Sequence, residues 1–220
     1  LSRGDLVTVV DEVNDYYDVK IKESNLRMLQ KRYGSNVTIH RGDICDEDFL
    51  DRVFESSQFD AICHMAARAG VRPSIKDPFL YLHSNIQGTV TLLERTRKHK
   101  IPNFVFASSS SVYGGSKSTF FSELEQVDRP ISPYAATKKA CELFSYVYHY
   151  HYSLNITALR FFTVYGPRTR PDMVRFAIEN VSIRSHSPSF RHPSSSLIEY
   201  QGDKRSNNLV TALAVEITPT

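Results

Sequence analysis

Tyr134 and Lys138 stand four residues apart, a spacing that puts a phenol and an ammonium on one face of a helix. A positive charge beside a phenol favours the phenolate and lowers its pKa. Such a tyrosine can take a proton from a hydroxyl while a hydride leaves the same carbon. The bare spacing describes an ordinary surface pair equally well. Its surroundings argue for more. The apolar run Phe104-Val105-Phe106-Ala107 reads as a buried strand and ends in the serines 108 to 111. Ser132 and Pro133 then open the helix that holds Tyr134 and Lys138. A serine hydroxyl at the strand end can hydrogen-bond the same substrate oxygen as the phenol.

Elements of alternating type must position these groups. Leu6 to Val10 predicts a β-branched strand ending at Asp11, and residues 18–33 a helix. Residues 37–40 read as a strand closed by Arg41-Gly42-Asp43, and Asp46 caps a following helix. Ala61-Ile62-Cys63 is a short strand, residues 84–98 a long helix, and residues 156–162 the last clear strand. Near-continuously apolar strands alternating with helices predict an α/β fold, a doubly wound parallel sheet covered on both faces. Ligands bind at the carboxyl ends of such strands. Asp11, Asp43, His64 to Arg68, the serines and Thr163 to Pro167 each lie just past one, which argues for a single site. His64 itself reads as a packed histidine.

Three longer motifs add a resemblance. They are Phe106 to Gly114, Tyr134 to Ala140, and Leu159 to Pro167. In order and in residue type they resemble the extended short-chain dehydrogenase/reductase superfamily, with its Ser/Tyr/Lys triad. Within it they are similar to the NAD-dependent sugar-nucleotide epimerases, and among these to the UDP-glucuronate 4-epimerases. The resemblance runs from residue 4 to about residue 178 and implies a Rossmann-like fold with NAD as cofactor. It implies Ser109, Tyr134 and Lys138 as catalytic residues. Tyr134 and Lys138 would also touch NAD, together with Asp11, Asp43, Ile44, Ala66, Ala67, Asn85 and Phe161. Asp11 would bond the ribose and Asp43 with Ile44 the adenine. As a bare residue, Asp11 suits a turn or cap equally well. Ser110, Ser111, Thr163 and Arg170 would meet the sugar, because a guanidinium with hydroxyls suits a carboxylate. Related dehydratases carry an Asp-Glu pair where Ser110-Ser111 stands, so dehydration is disfavoured. The implied reaction takes UDP-glucuronate to UDP-galacturonate by transient oxidation at C4. A UDP-glucuronate decarboxylase, another sugar-nucleotide enzyme or an inactive truncated relative are the alternatives. A homodimer is expected of the full-length protein.

Composition narrows the partners. A net charge of +3 without a basic cluster calls for neither nucleic acid nor an anionic membrane surface. Cys45, Cys63 and Cys141 have no metal-ligand spacing, no metal is expected, and a reducing compartment fits. No run approaches a membrane span. A cytoplasmic location is expected, with an anchor upstream of residue 1 left open. The sequence starts at Leu1, and the family's Gly-rich phosphate turn and its strand would precede it. The sheet is therefore expected to be open at that interior position and weakly stable. Residues 1–178 read as the partial NAD-binding domain. Residues 179–220 read as a divergent, partly disordered tail, in which Leu209 to Ile217 is apolar enough for one more helix or strand.

Overall fold

A computed structural model describes residues 1–118, 120–164, 166, 168, 170 and 171, and the backbone of 208–211. The expected loop and disorder between residues 179 and 207 lie outside the described residues.

Six strands form one parallel sheet: β1 (Leu6–Asp11), β2 (Val37–Arg41), β3 (Ala61–His64), β4 (Asn103–Ala107), β5 (Asn155–Leu159) and β6 (Asn208–Thr211). Their spatial order is β2-β1-β6-β3-β4-β5. The helices are α1 (Val19–Tyr33), α2 (Glu47–Glu55), α3 (Val71–Lys76), α4 (Pro78–Tyr81), α5 (Gly88–Lys98) and α6 (Pro133–Tyr152).

Local chemistry explains the helix ends. Asp18 accepts from the Lys20 amide at 2.9 Å and starts α1, and Gly34, at φ +53°, stops it. Asp46 accepts from the Phe49 amide at 2.9 Å and starts α2, which places Leu50, Val53 and Phe54 in the core. Ser132 accepts from the Ala135 amide at 3.1 Å, with Pro133 at the first position of α6. The core joins these helices to the sheet through Ile62, Leu93, Phe104, Phe106 and Cys141.

Three sequence expectations change. The strand expected over residues 156–162 stops at Leu159 rather than Phe162. Beyond it, the Phe161 amide turns back to Leu159 O at 3.1 Å, and Phe161 O accepts from the Ser110 amide at 2.7 Å. The backbone there is bound to the serine turn, not to the ladder. The helix expected over residues 84–98 opens as a π-helical turn, Leu82–Gln87, and becomes α-helical at Gly88. π-Turns recur at functional sites, and this one carries the buried Asn85.

The third change concerns the gap. The interior position expected to be open is filled by β6, which pairs in parallel with β1 on one side and β3 on the other. An open slot there would leave two rows of backbone groups unpaired, and a strand satisfies both at once. Among the described residues no helix is long and apolar enough to cross a membrane.

Candidate functional site

At the carboxyl ends of β1, β2 and β3 lies a cavity of about 220 Å³, walled by Asp11, Asp43, Ile44, Ala66, Ala67 and Arg170 among others. Asp11 is exposed at the end of β1, and its Oδ1 accepts from the Val13 amide at 2.6 Å. Ile44 is buried beside Gly88, where a Cβ would come within 2.5 Å of its Cδ1. Burial pushes the Asp43 pKa up, but bonds from the Cys45 amide at 2.8 Å and from His83 at 2.7 Å leave it below the usual carboxylate value. Tyr16 and Tyr81 both donate to Ala69 O, at 2.6 and 2.8 Å. The guanidinium groups of Arg68 and Arg170 lie 5.9 and 5.3 Å from the Tyr16 ring centre.

The catalytic candidates meet at the end of β4. Ser109 caps a short 3₁₀ turn, Ser110–Tyr113, by accepting from the Ser111 amide at 3.1 Å. The Ser109 side chain also acts on the Tyr134 phenol, lowering its pKa against a larger rise from burial. Lys138 is fully buried, donates to Ala107 O at 2.7 Å and lies 5.0 Å from the Phe106 ring centre. Burial lowers its pKa to about 8.

One expectation about this pair is corrected. The Tyr134 pKa is raised, not lowered. Burial raises it, and the Ser109 bond and the Arg170 charge only partly offset that. The Lys138 ammonium is engaged at the end of β4, so sharing a helix face did not bring it to bear on the phenol.

Asn85 accepts from the Arg68 amide at 2.8 Å and donates to Arg68 O at 3.0 Å and Thr137 Oγ1 at 2.9 Å. It ties the loop after β3 to α6. His64 is packed: its Nε2 lies 2.8 Å from Thr89 Oγ1, and burial drops its pKa to about 3. Ser110 and Ser111 are half-buried, Thr163 is exposed, and Arg170 stands in the cavity wall with Asp11.

Two residues escaped the sequence reading. Glu142, one turn beyond Lys138, accepts from Ser108 Oγ at 2.6 Å and takes a two-point grip from Arg160 at 3.0 and 3.1 Å. Arg160 sits 5.1 Å from the Tyr113 ring centre. This carboxylate joins α6, the serine turn and the segment after β5. Its only sequence signal was the position of Arg160 inside the Leu159 to Pro167 motif.

A parallel sheet wound with helices, with its polar groups gathered at the carboxyl strand ends, defines a Rossmann-like nucleotide-binding fold. The chain belongs to the GDP-mannose 4,6 dehydratase family, whose model matches residues 1–188. It is 46% identical over 176 residues to a UDP-glucuronate 4-epimerase of Thermodesulfobacterium geofontis, covering 80% of this chain and 54% of that one. It is 48% identical over 175 residues to UDP-glucuronate 4-epimerase 2 of Arabidopsis thaliana, covering 79% and 40%. Among solved structures it is similar to the Bacillus cereus UDP-glucuronic acid 4-epimerase in complex with UDP-glucuronic acid and NAD. That match has a TM-score of 0.68 and 34% identity, covering 79% of this chain and 55% of that one. The UDP-glucose 4-epimerase of Thermus thermophilus in complex with NAD matches with a TM-score of 0.64 and 30% identity, covering 78% and 60%. The chain thus spans about half the length of the curated relatives it matches.

Proposed function

We propose that the protein carrying this chain is an NAD-dependent epimerase that interconverts UDP-glucuronate and UDP-galacturonate, with residues 1–178 as its cofactor-binding unit. The observation that carries this reading is that the buried Ser109 side chain acts on the Tyr134 phenol, with the buried Lys138 one turn further along α6. The residues fit the cofactor at both ends. Asp11, Asp43 and Ile44 with the small Ala66 and Ala67 wall one cavity, and the buried Lys138 stands past β4. NAD, when bound, supplies the acceptor and donor of the hydride at the sugar C4.

The chain's own groups do the rest. Tyr134 takes the proton of the C4 hydroxyl as the carbon is oxidised and returns it when the carbon is reduced on the other face. Ser109 holds the same oxygen. Arg170 favours the phenolate form of Tyr134 by its charge. Ser110, Ser111, Thr163 and Arg170 are the proposed sugar contacts. A carboxylate left unpaired in a half-buried pocket is costly, and the arginine and hydroxyls offer it partners. Ser110-Ser111 carries no acid to protonate a leaving hydroxyl, which favours epimerisation over dehydration.

The outer face of α6 exposes Leu143, Tyr146, Val147 and Tyr150, and we assign it to a second copy of the chain. Light scattering that finds only monomer, or a dimer indifferent to Tyr146→Asp, would remove that assignment. A cytoplasmic setting belongs to the same proposal, supported by three buried cysteines that are all free thiols.

The test is an assay of the complete protein with UDP-glucuronate and UDP-glucose, products being resolved by chromatography. UDP-galacturonate should dominate, and Tyr134→Phe should reduce turnover about 10²–10⁴-fold with the fold intact. UDP-xylose as the main product would point to decarboxylation. No turnover with either sugar would favour an inactive relative.

A further inference from the structure

We propose that Glu142 is a positioning residue for the Ser109–Tyr134 pair, acting through the hydroxyl of Ser108. Tyr134, Lys138 and Glu142 follow one another at intervals of four along α6 and share one face. That face meets three consecutive residues, Ala107 to Ser109, where β4 ends. Lys138 Nζ donates to Ala107 O at 2.7 Å, and Ser108 Oγ donates to Glu142 Oε1 at 2.6 Å. The Ser109 side chain acts on the Tyr134 phenol. The Ser108 contact takes no part in the proposed proton transfer, yet it comes from the chain neighbour of Ser109. Ser108 is buried, so loss of its acceptor would leave a hydroxyl unpaired away from water. Fixing that side chain fixes where the backbone leaves the strand, and with it the direction of Ser109.

The carboxylate is itself clamped. Arg160 donates through Nε to Oε1 at 3.0 Å and through Nη2 to Oε2 at 3.1 Å. Lys139 Nζ lies 3.5 Å from Oε2. A two-point guanidinium grip holds a carboxylate in one orientation. Arg160 directly follows β5, and the next residue, Phe161, accepts from the Ser110 amide at 2.7 Å. The serine turn is thus held from two sides, through Ser108 by α6 and through Ser110 by the segment after β5. The Glu142–Arg160 pair locks those two sides together. A catalytic hydroxyl displaced by about 1 Å can cost a reaction about a hundredfold, which gives such a lock its purpose.

The kinetic consequence rests on the epimerase reading, whereas the structural one is tested without it. Ser108→Ala removes the bond but leaves the Glu142–Arg160 pair, so the fold should survive. In the purified chain, hydrogen exchange at the Ser110 and Ser111 amides should quicken about tenfold, while Phe104 and Phe106 stay protected. Glu142→Gln offers an amide oxygen in place of Oε1 and should keep both amides slow. In the complete protein, Ser108→Ala should lower kcat with UDP-glucuronate at least about tenfold and leave KM unchanged. The pH profile of kcat should move to higher pH, because the lost Ser109 contact lowers the Tyr134 pKa. A merely looser site that admitted water would move the profile the other way. Arg170, Tyr16 and Tyr81 also face this phenol, and the variants leave all three in place. Glu142→Gln should turn over at close to the unmodified rate. The proposal is overturned if Ser108→Ala leaves the Ser110 and Ser111 amides as slow as before. It is equally overturned if the variant of an active enzyme changes KM alone. An unmodified complete protein without turnover would remove the epimerase reading instead, and exchange at the two amides would still decide the role of Glu142.

Discussion

On one side of the sheet, β3, β4 and β5 are direct neighbours, and Ser109, Tyr134 and Lys138 are engaged with protein partners of their own. On the other side, β1 and β2 pair with each other and reach the rest of the sheet only through β6. That side carries an open cavity walled by carboxylates and cations. Ser109 and Lys138 are held by protein partners in advance, while the cavity side leaves polar groups facing solvent. Burial accounts for the contrast, because a polar group removed from water must find its partner inside the protein.

Removing the bridging strand should produce the largest effect. Val210→Pro deletes a backbone donor in the middle of β6 and should destabilise by about 4 kcal/mol or more. Hydrogen exchange should then show Val7 and Val9 opening while Phe104 and Phe106 stay protected. Equal loss of protection on both sides would make the sheet one unit and break the contrast.

Next comes the carboxylate at the centre of the catalytic side. Glu142→Ala leaves the Arg160 guanidinium without its two-point partner. Both side chains are largely buried, at 10% and 17% exposure, so the cost should be about 3–5 kcal/mol in urea unfolding.

Lys138 should write its burial into the pH dependence of stability. Its pKa falls from 10.5 to about 8 in the folded protein, so the unfolded chain binds the proton more tightly. Stability contributed by this group should therefore rise with pH between about 8 and 10.5, by on the order of 3 kcal/mol. Denaturant midpoints across that range should flatten in Lys138→Met. A slope that persists in the variant would show that Lys138 is not its source.

The smallest effect should come from the cavity side. Arg41 and Glu23 also form a two-point ion pair, but Arg41 is 56% exposed. Arg41→Ala should cost far less than Glu142→Ala, and added salt should shrink even that. Set against Glu142→Ala, the same chemistry at two depths isolates what burial contributes.

The sequence placed the candidate catalytic residues on neighbouring elements because its signals there are local. Ser109 follows an apolar strand, and Tyr134 and Lys138 share one capped helix. What the Lys138 ammonium would touch was not legible, since a spacing of four fixes a face and not a direction. The Glu142–Arg160–Ser108 junction was hidden for another reason, because its partners come from three elements distant in the chain. The end of β5 was misjudged because Phe161 and Phe162 suit a strand by type, and a hydrogen bond from Ser110 diverts the backbone there. The apolar stretch that holds β6 was visible in the tail. Its place between β1 and β3 was not, since no local pattern records which slot in a sheet is vacant.

The position of β6 has a consequence for biosynthesis. The ladder that pairs Leu6 with Asn208 couples residues near opposite ends of the sequence. The pairing of β6 with β1 and β3 cannot form during translation until Asn208–Thr211 has left the ribosome. Until then β1 and β3 lack the backbone partner that β6 supplies. Closing so distant a pairing adds little to the equilibrium cost, because loop entropy grows only with the logarithm of length, but it slows folding.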